Sequence, residues 1–208
     1  MNAVKTPPLK DKQALRAFFT EKRRILAKDR ERKRQLDMEI QSRLILSPEY
    51  RSADALLLYA ARDFEVATLS ILYAALANGK TVAYPRCEEG GEMIFCAVTS
   101  PADLIPGRFG ILVPRQDCPV FIPDERTLCV CPALCCDMSG YRLGFGGGYY
   151  DRFLSGFGGV SAALCYSEAL IPMLVHNDHD IPMRLIVTDS FIRHIQSADA
   201  LSPETKLR

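Results

Sequence analysis

Two kinds of hydrophobic pattern alternate along the chain. From Asp11 to about Leu46 there is no Gly or Pro, and Leu15, Phe18, Phe19, Ile25, Leu26, Leu36, Ile40 and Leu44 recur near helical spacing. The apolar stripe lapses between Lys28 and Lys33, where the helix could divide in two, and Ser47-Pro48 stops it. Ala53 to Ala60 then reads as a buried strand, Ala67 to Ala77 as an amphipathic helix ended by Asn78-Gly79, and Thr81 to Tyr84 as a second buried strand. Apolar strands joined through a helix predict parallel pairing. Met93 to Val98 and Ile111 to Val113 read as shorter strands around a Pro/Gly-rich connection, and Thr127 to Ala133 as another buried one. Tyr149 to Leu154 opens a helix, Val160 to Cys165 makes a strand, and Leu185 to Thr188 with Phe191 and Ile192 makes the last. This order predicts a single α/β domain: a three-layer α/β/α sandwich whose mostly parallel central sheet carries helices on both faces. Residues 1–9, with Thr6-Pro7-Pro8, read as a flexible extended lead-in, and residues 197–208 as a flexible polar tail.

Composition narrows the class. With 208 residues, 48% hydrophobic, 25% charged and 9% aromatic, the chain is that of a globular protein rather than a disordered or fibrous one. A domain of this size buries roughly 70% of its unfolded surface and needs neither disulfide nor metal to fold. No window approaches the ~20 apolar residues of a membrane span, and Lys5, Lys10 and Lys12 replace the pattern of a secretory signal, so a cytoplasmic location is expected. None of the eight cysteines forms a Cys-x-x-Cys knuckle, and Cys96, Cys129, Cys131, Cys135 and Cys165 lie in or beside apolar runs. They read as reduced core residues, with adjacent Cys135 and Cys136 the pair nearest a glycine-rich loop. The formal net charge is only +1, yet Lys10 to Arg34 holds eleven Lys or Arg against four acids.

The segment RLGFGGGYYDRFL, Arg142 to Leu154, is the most unusual in the chain. Gly144, Gly146, Gly147 and Gly148 carry no side-chain bulk and permit positive φ, so backbone amides can converge on an anion, most naturally a phosphate. Tyr149-Tyr150-Asp151-Arg152 reads as the first turn of a helix whose positive end adds to that attraction. Asp151 would oppose a phosphate unless a divalent cation bridges the two, which points to magnesium-nucleotide. By spacing alone the segment matches neither GxxxxGK[ST] nor a GxGxxG placed after a strand, and a plain flexible turn remains the competing reading. Arg142 and Arg152 flank the glycines as phosphate donors. Lys12 and Arg16, four apart on one helix face, could reach one anion together, or belong to a solvated charged face.

Lys12-x-x-Leu15-Arg16, Glu65-x-x-Thr68, Tyr84-Pro85-Arg86 and Asp137-x-x-Gly140-x-RLGFGGGYYDRFL, in that order, resemble the 5-formyltetrahydrofolate cyclo-ligase family, also called methenyltetrahydrofolate synthetases. The resemblance spans about residues 10–190 and implies an ATP- and magnesium-dependent enzyme that turns 5-formyltetrahydrofolate into 5,10-methenyltetrahydrofolate. It also implies phosphorylation of the formyl oxygen before nitrogen-10 closes the ring. Carried over residue by residue, Lys12 and Arg16 match ATP contacts. Arg142, Leu143, Gly144, Phe145, Gly146, Gly147, Gly148, Tyr149 and Tyr150 match the ATP loop, with Arg142 and Tyr150 the expected catalytic residues. Asp151 matches a magnesium ligand, Phe145 to Tyr149 also face the substrate, and Glu65 matches the acid that binds the pterin. Glu65 is otherwise only a helix-start carboxylate.

One departure stands out: Arg184, in Pro182-Met183-Arg184-Leu185-Ile186, replaces an expected second magnesium-ligand aspartate, so either Asp180 or Asp189 supplies that carboxylate or Asp151 acts alone. His176, His179 and His194 are read as surface or packing residues. Arg184 motivates a competing reading, a catalytically lapsed relative that binds nucleotide or RNA through its basic N-terminal helix. That segment lacks interleaved aromatics apart from Phe18 and Phe19, so nucleic acid is not the expected partner. A third reading is another ATP-dependent ligase using the same loop. A monomer or weak dimer acting on a small molecule, without membrane attachment, is expected.

Overall fold

The computed structural model describes Pro7, residues 11–88 and residues 92–196; the rest of the expected lead-in and the polar tail lie outside the described residues. The long N-terminal helical pattern divides at Asp29 into α1 (Lys12–Lys28) and α2 (Arg30–Leu46). Asp29 serves both: its backbone N–H donates to the Leu26 carbonyl and its side chain accepts from the Arg32 N–H. Asp11 caps α1 in the same way through the Ala14 N–H at 2.9 Å. Ser47 caps the short α3 (Pro48–Ser52), with Pro48 in the first turn where no N–H is required.

Then follow β1 (Ala55–Leu57), α4 (Leu69–Ala77), β2 (Thr81–Cys87) and β3 (Met93–Val98). The Pro/Gly-rich middle holds β4 (Leu104–Pro106), β5 (Leu112–Pro114) and β6 (Val120–Phe121). The second half contributes β7 (Thr127–Pro132), β8 (Cys135–Asp137), β9 (Arg142–Leu143), α5 (Tyr149–Leu154) and β10 (Val160–Leu164). Last come β11 (Leu170–Ile171), β12 (Leu185–Val187) and β13 (Ile192–His194).

Eight of these strands form the central sheet among the described residues, in the order β13-β12-β10-β7-β1-β2-β3-β6. The five from β12 to β2 are parallel and the outer ones antiparallel. Alternate residues serve opposite faces. Leu56, Val82, Leu128, Val130, Ala162, Leu164, Leu185 and Val187 pack with Ile40 and Leu44 of α2 and Ile71, Leu72 and Ala75 of α4. Leu57, Ala83, Cys129, Cys131, Ala163 and Ile186 pack with Leu15 and Phe19 of α1 and Leu154 of α5. The three layers are therefore as expected, with one addition. The second face also carries a small sheet, β11-β8-β9, so Cys135, Cys136 and Leu143 sit in that outer layer. All cysteines but Cys87 are buried, and all eight are thiols, filling the role of small core residues.

β1 is shorter than its apolar run predicts. After Leu58 donates to the Ala83 carbonyl at 2.9 Å, the chain bends away, and the Tyr59 carbonyl accepts from the Thr68 hydroxyl at 2.7 Å instead of from a strand. The predicted last strand is two antiparallel ones, β12 and β13, because the Thr188 hydroxyl accepts from the Ser190 and Phe191 N–H groups and turns the chain. Lying between β2 and β7, β1 marks the place where strand order reverses. In open α/β sheets, ligands bind beyond the carboxyl ends of the strands at such a place.

Candidate active site

The chain leaving β1 runs to Glu65; the chain leaving β7 runs through β8 and β9 to the glycines. Their tips meet: the rings of Phe64 and Phe145 lie edge to face, centroids 6.2 Å apart, and the Arg62 guanidinium sits 4.9 Å from the Phe145 ring. The two segments thus meet beyond the carboxyl ends of the strands, beside the reversal of strand order.

Within the loop, Gly146 (φ +101°) and Gly148 (φ +66°) adopt left-handed backbone that L side chains rarely enter. Gly147 packs so closely on Tyr149 that a Cβ would lie 2.8 Å from its ring. The helix that follows is only six residues long, too short for its dipole to contribute much, so any attraction for an anion would come from the loop amides and the nearby cations. Tyr149 is partly exposed beneath the Arg152 guanidinium, 4.9 Å away, and Arg152 also donates to the Gly147 carbonyl. Leu143 points into the core, which leaves only its backbone for a ligand.

Three N-terminal or loop cations converge here. Arg16 donates from Nε to the Gly144 carbonyl at 3.0 Å. Arg142 donates to the Ile181 carbonyl at 3.2 Å and pairs with the Asp151 carboxylate at 3.2 Å. Lys12 pairs with Asp180 at 2.7 Å, beside Arg142, Tyr141 and Leu143 in a small pocket. Burial alone would raise the Asp180 carboxyl, but the Lys12 and Asn177 hydrogen bonds outweigh it and hold the group below its ordinary value. Tyr150 is pushed well above its ordinary value by burial, with the Cys131 and Cys129 thiols as neighbours, so its hydroxyl remains a donor. That buried oxygen has no hydrogen-bond partner among the described residues. Leaving such a group unsatisfied costs about 1–3 kcal/mol, which an incoming ligand oxygen would offset.

Glu65 is buried and accepts from the Arg62 backbone N–H at 2.8 Å. Burial raises its carboxyl above the ordinary value of 4.5 despite opposition from that N–H and from the Arg62 and Arg23 charges. Asp151 is a quarter exposed, and its Oδ1 also accepts from the Ile181 N–H at 3.2 Å, adjacent in sequence to Asp180. Among the described residues no group of three or more His, Cys, Asp or Glu is arranged to hold a metal ion by itself. Magnesium does not require such a cluster, since one or two carboxylates with phosphate oxygens and water suffice, and the donor set fits that ion. Asp189 is committed elsewhere: its oxygens accept from the Ser167 N–H and hydroxyl at 2.7 and 2.6 Å and from Ser190. Arg184 is exposed at the entrance of β12, with its N–H donating to Ser161 at the amino end of β10.

Much of the basic run is engaged within the fold. Arg23 is buried and donates to the Ala133 and Leu134 carbonyls. Lys33 pairs with Asp37, Arg32 with Glu168 and Arg34 with Glu31. His176 stacks on Tyr141 at 3.7 Å, a packing role. Sequence reasoning missed Arg62 and Phe64, three residues and one residue before Glu65, because their importance comes from contact with Phe145, and no spacing encodes that. It also missed Ile181, which acts through its backbone.

A family model described as the 5-formyltetrahydrofolate cyclo-ligase family matches residues 8–189. The 5-formyltetrahydrofolate cyclo-ligase of Escherichia coli K12 is 25% identical over 166 residues, 77% of this chain and 91% of its own. A 5,10-methenyltetrahydrofolate synthetase from Aquifex aeolicus superposes with a TM-score of 0.70 at 29% identity, covering 91% of this chain and 99% of the other. One from Mycoplasma pneumoniae gives 0.69 at 26% identity, covering 86% and 99%.

Proposed function

The chain belongs to the 5-formyltetrahydrofolate cyclo-ligase family, and from that premise we propose that it converts 5-formyltetrahydrofolate to 5,10-methenyltetrahydrofolate with ATP, releasing ADP and phosphate. The observation that carries the reading is the meeting of the glycine loop with the Glu65 segment through Phe145 and Phe64, which sets an anion cradle beside a buried carboxylate.

A formamide carbonyl is a poor electrophile and its oxygen a poor leaving group. In the proposed reaction the formyl oxygen attacks the γ-phosphorus and ADP leaves. Nitrogen-10 then attacks the activated carbon, loses its proton, and expels phosphate with the former formyl oxygen. Phosphoryl transfer of this kind depends chiefly on positioning and charge neutralisation. The amides of Gly144 to Gly148 cradle the phosphates, Arg16 and Lys12 add positive charge, and Arg142 is held in place by Ile181 and Asp151. Tyr150 keeps its proton and donates to a phosphate oxygen. Glu65 accepts from the amidine-like edge of the pterin, where two parallel hydrogen bonds can form.

Asp151 would hold magnesium, with Asp180 as the second carboxylate from the segment that already touches Asp151. When bound, the ion supplies charge neutralisation at the phosphates. Asp180 answers the departure at Arg184, since Asp189 is occupied by serines. Against the lapsed-relative reading stands the internal engagement of Arg23, Arg32, Lys33 and Arg34, which takes much of the basic segment's charge out of reach of a nucleic acid.

The test is to mix the protein with 5-formyltetrahydrofolate, ATP and magnesium and follow ADP release together with the absorbance of the methenyl product. Both signals are expected; silence in both at high enzyme concentration overturns the reading. ADP release with other amides but not with this folate would favour a different ATP-dependent ligase.

A further inference from the structure

Beside Glu65, against the rings of Phe64 and Phe145, stand two arginines that the reaction above does not use. The Arg62 guanidinium lies 5.9 Å from the Phe64 ring and 4.9 Å from that of Phe145, and Arg24, exposed on α1, lies 5.8 Å from Phe64 on its own account. Phe145 is 44% exposed. Neither Arg24 nor Arg62 forms a salt bridge among the described residues, although most arginines of the N-terminal helices and of the loop are paired or hydrogen-bonded. Although Glu65 lies within reach of the Arg62 charge, neither guanidinium is salt-bridged among the described residues, and two such cations over two aromatic rings match a ligand that is itself an aryl ring ending in carboxylates.

We propose that Phe64, Phe145, Arg24 and Arg62 form the subsite for the p-aminobenzoylglutamate arm of the folate. The rings take its aryl group and the two guanidinia its glutamate carboxylates. This rests on the reading above, because the pterin bound at Glu65 places the arm next to Phe64. Arg24 is exposed on its helix, so the carboxylates it takes would end at the protein surface. The subsite adds binding that is equal in ground and transition states, so its loss raises KM for folate rather than lowering kcat.

The experiment compares 5-formyltetrahydrofolate with 5-formyltetrahydropteroate, which lacks the glutamate, in wild type, Arg24→Gln, Arg62→Gln and the double variant. Wild type should show a KM about tenfold lower for the folate than for the pteroate, as expected of charge-assisted hydrogen bonds. The double variant should bring the two values within about twofold, with KM for ATP unmoved, and Arg24→Lys should restore part of the difference. Arg24→Gln, on an exposed face, keeps the test valid should Arg62→Gln fail to fold. Discrimination that persists in Arg24→Gln and the double variant, or a rise in KM for ATP in place of folate, overturns the proposal. Calorimetric titration of both compounds separates it from the reaction itself. Arginine-dependent preference for the folate without turnover would leave the subsite standing and sink the reaction. Turnover without that preference would do the reverse, and binding of neither compound would overturn both.

Discussion

Arg16 on the first helix hydrogen-bonds the carbonyl of Gly144 at 3.0 Å, across 128 residues of sequence, and its guanidinium carbon would lie 3.4 Å from a Cβ on Gly146. One side chain thereby fixes the loop's entry and lies against its floor. Arg16→Ala is expected to raise KM for ATP about tenfold or more, the scale of a charge-assisted hydrogen bond together with a lost phosphate contact. Arg16→Lys should recover only part, since an ammonium cannot offer the planar fork. Steady-state kinetics with varied ATP decide it, and an unchanged KM in Arg16→Ala removes this residue from the nucleotide site.

Asp151 and Arg184 make a paired prediction about the metal. Asp151→Asn and Asp180→Asn should each lower turnover at fixed magnesium by about tenfold or more, and raise the concentration needed for half-maximal rate. Arg184→Asp should leave that concentration where it is, because Arg184 stands at the entrance of β12 beside Ser161. A magnesium titration that responds to Arg184→Asp and ignores Asp180→Asn would reverse the assignment.

The layered fold and the loop were legible in the sequence for the same physical reason: both leave periodic or compositional traces. The split at Asp29, the helix at Tyr149–Leu154 and the buried strands all follow from periodicity, caps and apolar runs. The small sheet β11-β8-β9 left no such trace. Its strands are two or three residues long, and are held by contacts such as Leu134 N–H to the Leu143 carbonyl at 2.7 Å rather than by alternation. The same holds for the site. Glycines, Arg142 and Asp151 announce themselves locally, whereas the pairing of Lys12 with Asp180 and of Phe64 with Phe145 joins segments about 80 or more residues apart, which only the crossovers of the sheet bring together.

The glycines of the loop are not interchangeable. A side chain at Gly148 would carry left-handed backbone and place its Cβ 2.9 Å from the Arg152 guanidinium, whereas one at Gly144 would meet nothing within 4 Å. Left-handed backbone costs a non-glycine residue about 1–2 kcal/mol, or roughly 2–8 °C in Tm for a chain of this length. Gly148→Ala should therefore melt several degrees lower, and Gly144→Ala within about 1–2 °C of wild type. Equal melting temperatures for the two variants would show that the loop does not hold the Gly148 conformation.

Glu65 ties pH to both stability and substrate binding, with opposite signs. Burial raises its folded-state value above 4.5, so the fold favours the protonated form. Stability then declines as pH rises from the unfolded value through the raised folded one, because ionisation in the buried site is the costly event. Recognition of the pterin runs the other way: the ionised carboxylate accepts two hydrogen bonds and the protonated one loses an acceptor. The acid limb of kcat/KM for folate should accordingly lie above the ordinary carboxylate range and flatten in Glu65→Gln, whose KM for folate rises while that for ATP stays. In thermal melts, Glu65→Gln should lose the decline in stability across the same window. A wild-type acid limb at or below 4.5, or one that survives in Glu65→Gln, would place the pterin against some other group.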